Sequence, residues 1–211
     1  MEGAEDGIVA IGGDLSPERL LAAYKSGIFP WYSKEEPIVW HSPEQRFILF
    51  LDKLHVSKSM KRVLNSTKFT VTLDCNFSFV INQCASVNRK GQDGTWITNE
   101  MIEAYINLHH LGYAHSVEVW QDGKIVGGVY GVSLGKCFFA ESMFHTATNA
   151  SKIALIKLVE FLKQNDFHFL DAQVFTAHVA TMGAMEIPRK KFIQLLNNGL
   201  QSPDKVGKWK W

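Results

Sequence analysis

Three polar residues stand where chemistry is possible: Asp171 and Gln173, two apart in a segment that reads as a strand, and Glu141, alone in an apolar run. Side chains alternate along a strand, so Asp171 and Gln173 are expected to leave the same face, where they could share a site. The competing reading of that pair is an Asx turn at a strand end beside an exposed amide. Glu141 sits within Phe138-Phe139-Ala140-Glu141-Ser142-Met143-Phe144, and a carboxylate in such surroundings must be paired or face a cavity. Its ordinary solution would be an ion pair with Lys136 or Lys152. No GxSxG motif, no Cys/His pair at suggestive spacing and no obvious triad accompanies these residues, so a strong side-chain nucleophile is not on offer.

A second chemistry is suggested by Ala10 to Pro43. Phe29-Pro30-Trp31-Tyr32 and Trp40-His41-Ser42-Pro43 set flat rings beside prolines that favour extended backbone, a composition suited to stacking nucleobases. The alternative is that Trp31 and Trp40 form the core of a small domain. Basic residues are local. Lys58, Lys61 and Arg62 are spaced for one helical face, and Arg189, Lys190 and Lys191 make a second group; either is a phosphate-binding patch or a solvated face. A formal net charge of +1 argues against coating nucleic acid, so any RNA contact must be confined to a small region.

Cys75, Cys84 and Cys137 are odd in number and lack a CxxC, and the eight histidines lack metal-ligand spacing, so neither a disulfide framework nor a metal is expected. The 211 residues, 46% hydrophobic, suffice for one substantial core plus an annex. No apolar run is long enough for a membrane span and the first residues are acidic and polar, so a cytoplasmic protein without a membrane partner is expected.

The elements that must position these residues follow from periodicity. Ser16-Pro17 begins a helix that Gly27 ends. A boundary near Glu44 to Phe47 would separate an aromatic-rich N-terminal domain, residues 1–45, from a larger domain, residues 46–211. That larger part reads as a strand from Phe47, a helix over 57–64, a strand over 69–73 and helices over 77–86 and 99–111. Strands over 115–120, 125–134 and 137–144 follow, the first two joined by a type I′ turn at Asp122-Gly123. Asn149 is expected to cap a helix over 151–164, Phe167 to Phe175 to return as a strand, and Pro188 to start a last helix through Leu196. The fold class is therefore α+β, an antiparallel central meander with packed helices.

The segment Ala10–Pro43 resembles the N-terminal signature of the bacterial leucyl/phenylalanyl-tRNA-protein transferases. The resemblance continues in order through Gly94-Thr95-Trp96-Ile97-Thr98, His115 to Trp120, Gly127-Gly128-Val129-Tyr130-Gly131, Glu141-Ser142-Met143-Phe144, Asn149-Ala150-Ser151-Lys152, Asp171-Ala172-Gln173 and Gly183-Ala184 to Ile187-Pro188-Arg189, covering nearly the whole chain. It implies a catalytic domain resembling the acyl-CoA N-acyltransferase fold. The implied activity moves Leu, Phe or Met from aminoacyl-tRNA, held by its 3′ acceptor end, to the N-terminal Arg or Lys of a protein, which marks that protein for degradation.

The resemblance also implies roles. Asp171 would orient Gln173, and Gln173 would position the attacking amine and donate to the developing oxyanion; Glu141 would hold the donor's α-ammonium. Val129, Met143 and Ala154, with Phe144 adjacent, would form the amino-acid pocket, Trp31 would stack the terminal adenine, and Trp96 would line the same cleft. The basic groups Lys58, Lys61, Arg62, Arg189 and Lys190 would contact tRNA. No cofactor is expected. Departures from the family pattern fall at His41, Ala140 and His145, close to these positions. An acetyl-CoA N-acyltransferase is a second reading, disfavoured because His145 to Lys152 contains no glycine to cradle a pyrophosphate. A noncatalytic module that binds aminoacyl-tRNA ends or protein N-termini is a third.

Overall fold

The structure is a computed structural model that describes residues 7–87 and 96–211. Gly94 and Thr95 of the aromatic motif lie outside the described residues. The chain opens with β1 (Ile8–Ile11), α1 (Pro17–Lys25), β2 (Phe29–Pro30) and β3 (Val39–His41), and these strands form a small sheet in the order β1-β3-β2. Pro17 supplies the first turn of α1, as its preset φ favours. The helix ends as the sequence requires: Gly27 has φ +74, its N–H donates to the Tyr24 carbonyl and that of Ile28 to the Ala23 carbonyl.

The main sheet then begins. β4 (Gln45–Phe50) is followed by α2 (Lys58–Leu64), β5 (Thr70–Leu73), α3 (Phe77–Ser86) and α4 (Asn99–His110). Next come β6 (Ala114–Gln121), β7 (Lys124–Leu134), β8 (Cys137–His145), α5 (Ala150–Gln164), β9 (Phe169–Asp171), α6 (Ala177–Ala180), β10 (Met185–Pro188) and α7 (Arg189–Gly199). The seven strands lie in the order β10-β4-β9-β8-β7-β6-β5. Every pairing is antiparallel except β8 with β9, which α5 joins as a crossover. The mixed α+β class and its antiparallel meander are as expected, with Asp122 (φ +50) and Gly123 (φ +72) making the hairpin between β6 and β7.

Three local expectations are corrected. The strand expected over 167–175 is only Phe169–Asp171, because the chain turns sharply at Gln173, and β10 emerges as an edge strand paired with β4. Asn149 precedes α5 with φ +71 and its side chain makes no capping bond. The N-terminal segment carries three short strands where only a helix and loops were expected.

The sheet separates two apolar layers. One face packs against α5, whose Ile153, Leu155, Ile156, Leu158, Val159 and Leu162 are buried. The other face meets α1, α3, α4 and α7 in a continuous cluster that runs from Leu20 and Tyr24 through Phe77, Met101 and Tyr105 to Phe192. Burying each such aliphatic or aromatic side chain contributes about 1.5 to 3 kcal/mol.

One irregularity in this sheet bears on function. Tyr130 pairs with Ser142 but Gly131 pairs with Ala140, so Glu141 is the extra residue of a β-bulge in β8. Gly131 is required opposite it: a Cβ there would stand 2.1 Å from the Phe139 carbonyl oxygen.

Candidate active site

The bulge breaks the in-out alternation of β8 and aims Glu141 between helices and loop instead of into the meander. Two tyrosines meet its carboxyl. The Tyr24 hydroxyl, from α1, is hydrogen-bonded to Oε1 at 2.7 Å, and the Tyr105 hydroxyl, from α4, to Oε2 at 3.2 Å. The two hydroxyls are also hydrogen-bonded to each other. Gln173 Nε2 donates to Oε1 at 2.7 Å. Burial raises Glu141 from the ordinary 4.5 to about 7, against the lowering influence of the tyrosine hydrogen bonds. Burial first, then the charge of Glu141, raises both tyrosines well above their usual range, so both stay protonated. The ordinary alternative for Glu141 is overturned: no ion pair reaches it among the described residues, and Lys136 Nζ instead donates to the Asn165 carbonyl at 2.8 Å.

Gln173 reaches this cluster by strain, not by strand alternation. Its φ is +56, and the Val174 N–H donates to the Ala172 carbonyl at 2.7 Å across it, closing a three-residue turn. The Asp171 carboxylate accepts the Gln173 N–H at 2.9 Å, while the Phe47 N–H donates to the Gln173 carbonyl at 3.1 Å. Asp171 itself is sealed from the site. It pairs with the equally buried Arg46 through Nε at 2.9 Å and Nη2 at 2.6 Å, and Nη1 of Arg46 donates to the Gly27 carbonyl at 3.1 Å. The guanidinium lies between the Phe29 and Phe192 rings. Asp171 thus holds the Gln173 backbone and touches nothing that a ligand would reach, and its charge is met by Arg46.

Glu141 and Gln173 open onto a cavity of about 530 Å³ between the aromatic loop, β8, the start of α5 and the turn after β9. Trp31 and Trp96 border it, as do Val129, Met143 and Phe144. Trp31 is 38% exposed, whereas Trp40 is buried with its indole N–H donating to the Gly12 carbonyl at 2.9 Å. Ala154 is fully buried on α5 and does not border the cavity; its neighbours Leu155 and Ser151 do.

The departures from the family pattern separate. His145 and Ala140 border the cavity, with His145 Nδ1 3.3 Å from the Ser151 hydroxyl. His41 stands behind Trp31, with Nε2 3.0 Å from the Trp31 carbonyl, and burial lowers its pKa.

Lys58, Lys61 and Arg62 are exposed on α2, and Lys190 is exposed on α7; none of them borders the cavity. Arg189 is engaged instead: Nη1 donates to the Ser42 carbonyl at 2.5 Å and its backbone N–H to the Glu44 carbonyl at 2.7 Å. Among the described residues no group of three metal-ligating side chains is assembled, and no helix is long and apolar enough to cross a membrane. Sequence reasoning missed Tyr24, Tyr105 and Arg46. No local signal singles out either tyrosine, but Arg46, directly before the run Phe47-Ile48-Leu49-Phe50, carried the same signal that singled out Glu141.

Comparison with known proteins bears on this geometry. Residues 48–197 match the leucyl/phenylalanyl-tRNA protein transferase family, and residues 13–44 match that family's N-terminal domain. The chain is 56% identical over 205 residues to the leucyl/phenylalanyl-tRNA–protein transferase of Syntrophus aciditrophicus (strain SB), covering 97% of this chain and 86% of that one. It is 51% identical to the protein of the same name from Myxococcus xanthus (strain DK1622), covering 97% and 88%. A solved GCN5-related N-acetyltransferase-like protein from Streptococcus suis 89/1591 aligns with TM-score 0.38 and 12% identity, over 81% of this chain and 63% of that one. The chain belongs to the leucyl/phenylalanyl-tRNA protein transferase family and is an aminoacyltransferase.

Proposed function

We propose that this chain transfers Leu, Phe or Met from the 3′ end of an aminoacyl-tRNA to the α-amine of a protein beginning with Arg or Lys, and so marks that protein for degradation in the cytoplasm. The observation that carries this reading is one cavity whose aromatic and aliphatic walls meet at a single carboxyl and a single amide, Glu141 and Gln173. In the reaction the amine nitrogen bonds to the ester carbonyl carbon, the carbon–oxygen bond to the terminal ribose breaks, and one proton passes from nitrogen to the leaving oxygen. An α-amine has a pKa of about 7.7 to 8.0, so a sizeable fraction is free base and no strong base is needed. The Gln173 amide accepts from the amine and donates to the oxyanion. Glu141 seats the donor's α-amino group, and Asp171 acts through the Gln173 backbone.

Trp31 stacks the terminal adenine with Trp96 on the same wall, while Val129, Met143 and Phe144 receive the donor side chain; Ala154 lies in the apolar layer beneath, outside the cavity lining. One methylene in such a pocket is worth about 1 to 3 kcal/mol, so exclusion of β-branched residues rests on shape. The described residues 7–45 of the N-terminal domain form the donor wall of the larger domain. Lys58, Lys61, Arg62 and Lys190 meet acceptor-end phosphates, and Arg189 anchors the Ser42–Glu44 segment. The test mixes protein, leucyl-tRNA and a peptide starting with Arg and follows labelled leucine. Leucine at the peptide N-terminus is expected; no transfer from leucyl- or phenylalanyl-tRNA by folded protein overturns the reading.

A further inference from the structure

Tyr24, Tyr105 and Glu141 form a closed ring of three hydrogen-bonded contacts: Tyr24 to Tyr105, Tyr24 to Oε1, and Tyr105 to Oε2. Two tyrosines bring only two protons, and each contact needs one. With Glu141 ionised, two protons serve three contacts, so one contact is left without a proton whichever way the hydroxyls turn. With Glu141 neutral the count closes. Its Oε2–H donates to Tyr105, Tyr105 donates to Tyr24, and Tyr24 donates to Oε1, which as a carbonyl oxygen also accepts the Gln173 amide with its second lone pair.

We propose that this ring stores one proton on Glu141 in the empty site, and that the proton passes to the donor's free α-amine as the amine docks. The carboxyl O–H bond breaks, an N–H bond forms, and a carboxylate faces the ammonium it has made; nothing is oxidised or reduced. This rests on the reading of Glu141 as the seat of the donor's α-amino group. Tyr24 and Tyr105 are then positioning residues that partner the O–H and the carbonyl of the neutral carboxyl, while burial is what raises its proton affinity. The groups around Glu141 agree with this. Gln173 is neutral, Tyr130 faces Tyr105 edge-on, and the opposing influences on Glu141 of Asp171 and Arg46 come from an ion pair. The raised pKa of Glu141, about 7, is what a stored proton requires near neutrality.

Difference infrared spectroscopy of the whole chain reads that proton directly through the carbonyl stretch of a protonated carboxyl, assigned by its absence in Glu141→Gln. The band is expected at pH 6, to vanish with a midpoint near 7, and at pH 7 to be lost on saturation with an amide-linked leucyl-adenosine analogue, whose amine is partly free base there. Tyr105→Phe and Tyr24→Phe each remove two of the three bonds of the neutral ring. The carbonyl band should therefore move to higher wavenumber in both, as a carboxyl stretch does when its hydrogen-bond partners are lost. No band at pH 6, a band that keeps its position in both variants, or a band that survives the analogue would each overturn the proposal. Absence of leucine transfer with the band present would refute the transfer reaction and leave the stored proton standing.

Discussion

Glu141 is the residue on which the site's electrostatics turn, and its raised pKa has a consequence for stability. In the folded chain it holds its proton up to about pH 7, against an ordinary 4.5. Between those values the folded state binds more protons than the unfolded state, so stability falls as pH rises across this window. Glu141→Gln removes that dependence. Urea unfolding should find the variant more stable than the parent at pH 8, by on the order of 3 kcal/mol, with the gap closing at pH 5; a gap independent of pH contradicts the raised pKa. For Gln173→Ala, loss of an amide aimed at the oxyanion should reduce kcat about 10²- to 10³-fold without unfolding the protein. Trp31 is exposed enough that Trp31→Ala should leave stability within about 0.5 kcal/mol, while affinity for a leucyl-adenosine analogue weakens by about 1 to 3 kcal/mol. Unchanged affinity in a calorimetric titration removes the stacking role.

At the scale of elements, the Arg46–Asp171 pair ties β4 and β9 to the end of α1 and supports the strained turn at Gln173. Arg46→Met strands a buried carboxylate and should destabilise by about 3 to 5 kcal/mol in chemical denaturation. The double variant Arg46→Met/Asp171→Leu should recover most of that stability but not the transfer activity, because the Gln173 N–H then has no acceptor. Recovery of both would show that Asp171 is only a packing residue. Element types were largely legible in the sequence: the helix start at Pro17, although Ser16 makes no side-chain capping bond, the stop at Gly27, the Asp122-Gly123 turn and the α5 periodicity. The bulge was not legible. Its register depends on how Gly131 meets Phe139 across the strand pair, and no local pattern records that pairing.

At the scale of the whole molecule, the N-terminal segment has no core of its own. Leu20, Tyr24, Phe29 and Trp40 belong to the same apolar cluster as Met101, Tyr105 and Phe192, and Tyr24 completes the Glu141 ring. Leu20→Ala should therefore cost about 2 to 5 kcal/mol and keep a single unfolding transition, with tryptophan fluorescence and circular dichroism coincident; separated transitions would mean an independently folded annex. The sequence by itself determined the family, the α+β class, most element boundaries and three polar residues of interest, because order and spacing of motifs, capping residues and a carboxylate out of place are local signals. Only the tertiary structure decided that Asp171 faces Arg46 and not a ligand, that Gln173 reaches Glu141 through a strained turn, and that two tyrosines distant in sequence close a ring on one carboxyl. Those facts are pairings across more than thirty residues of chain, and a pairing exists only once the chain has folded.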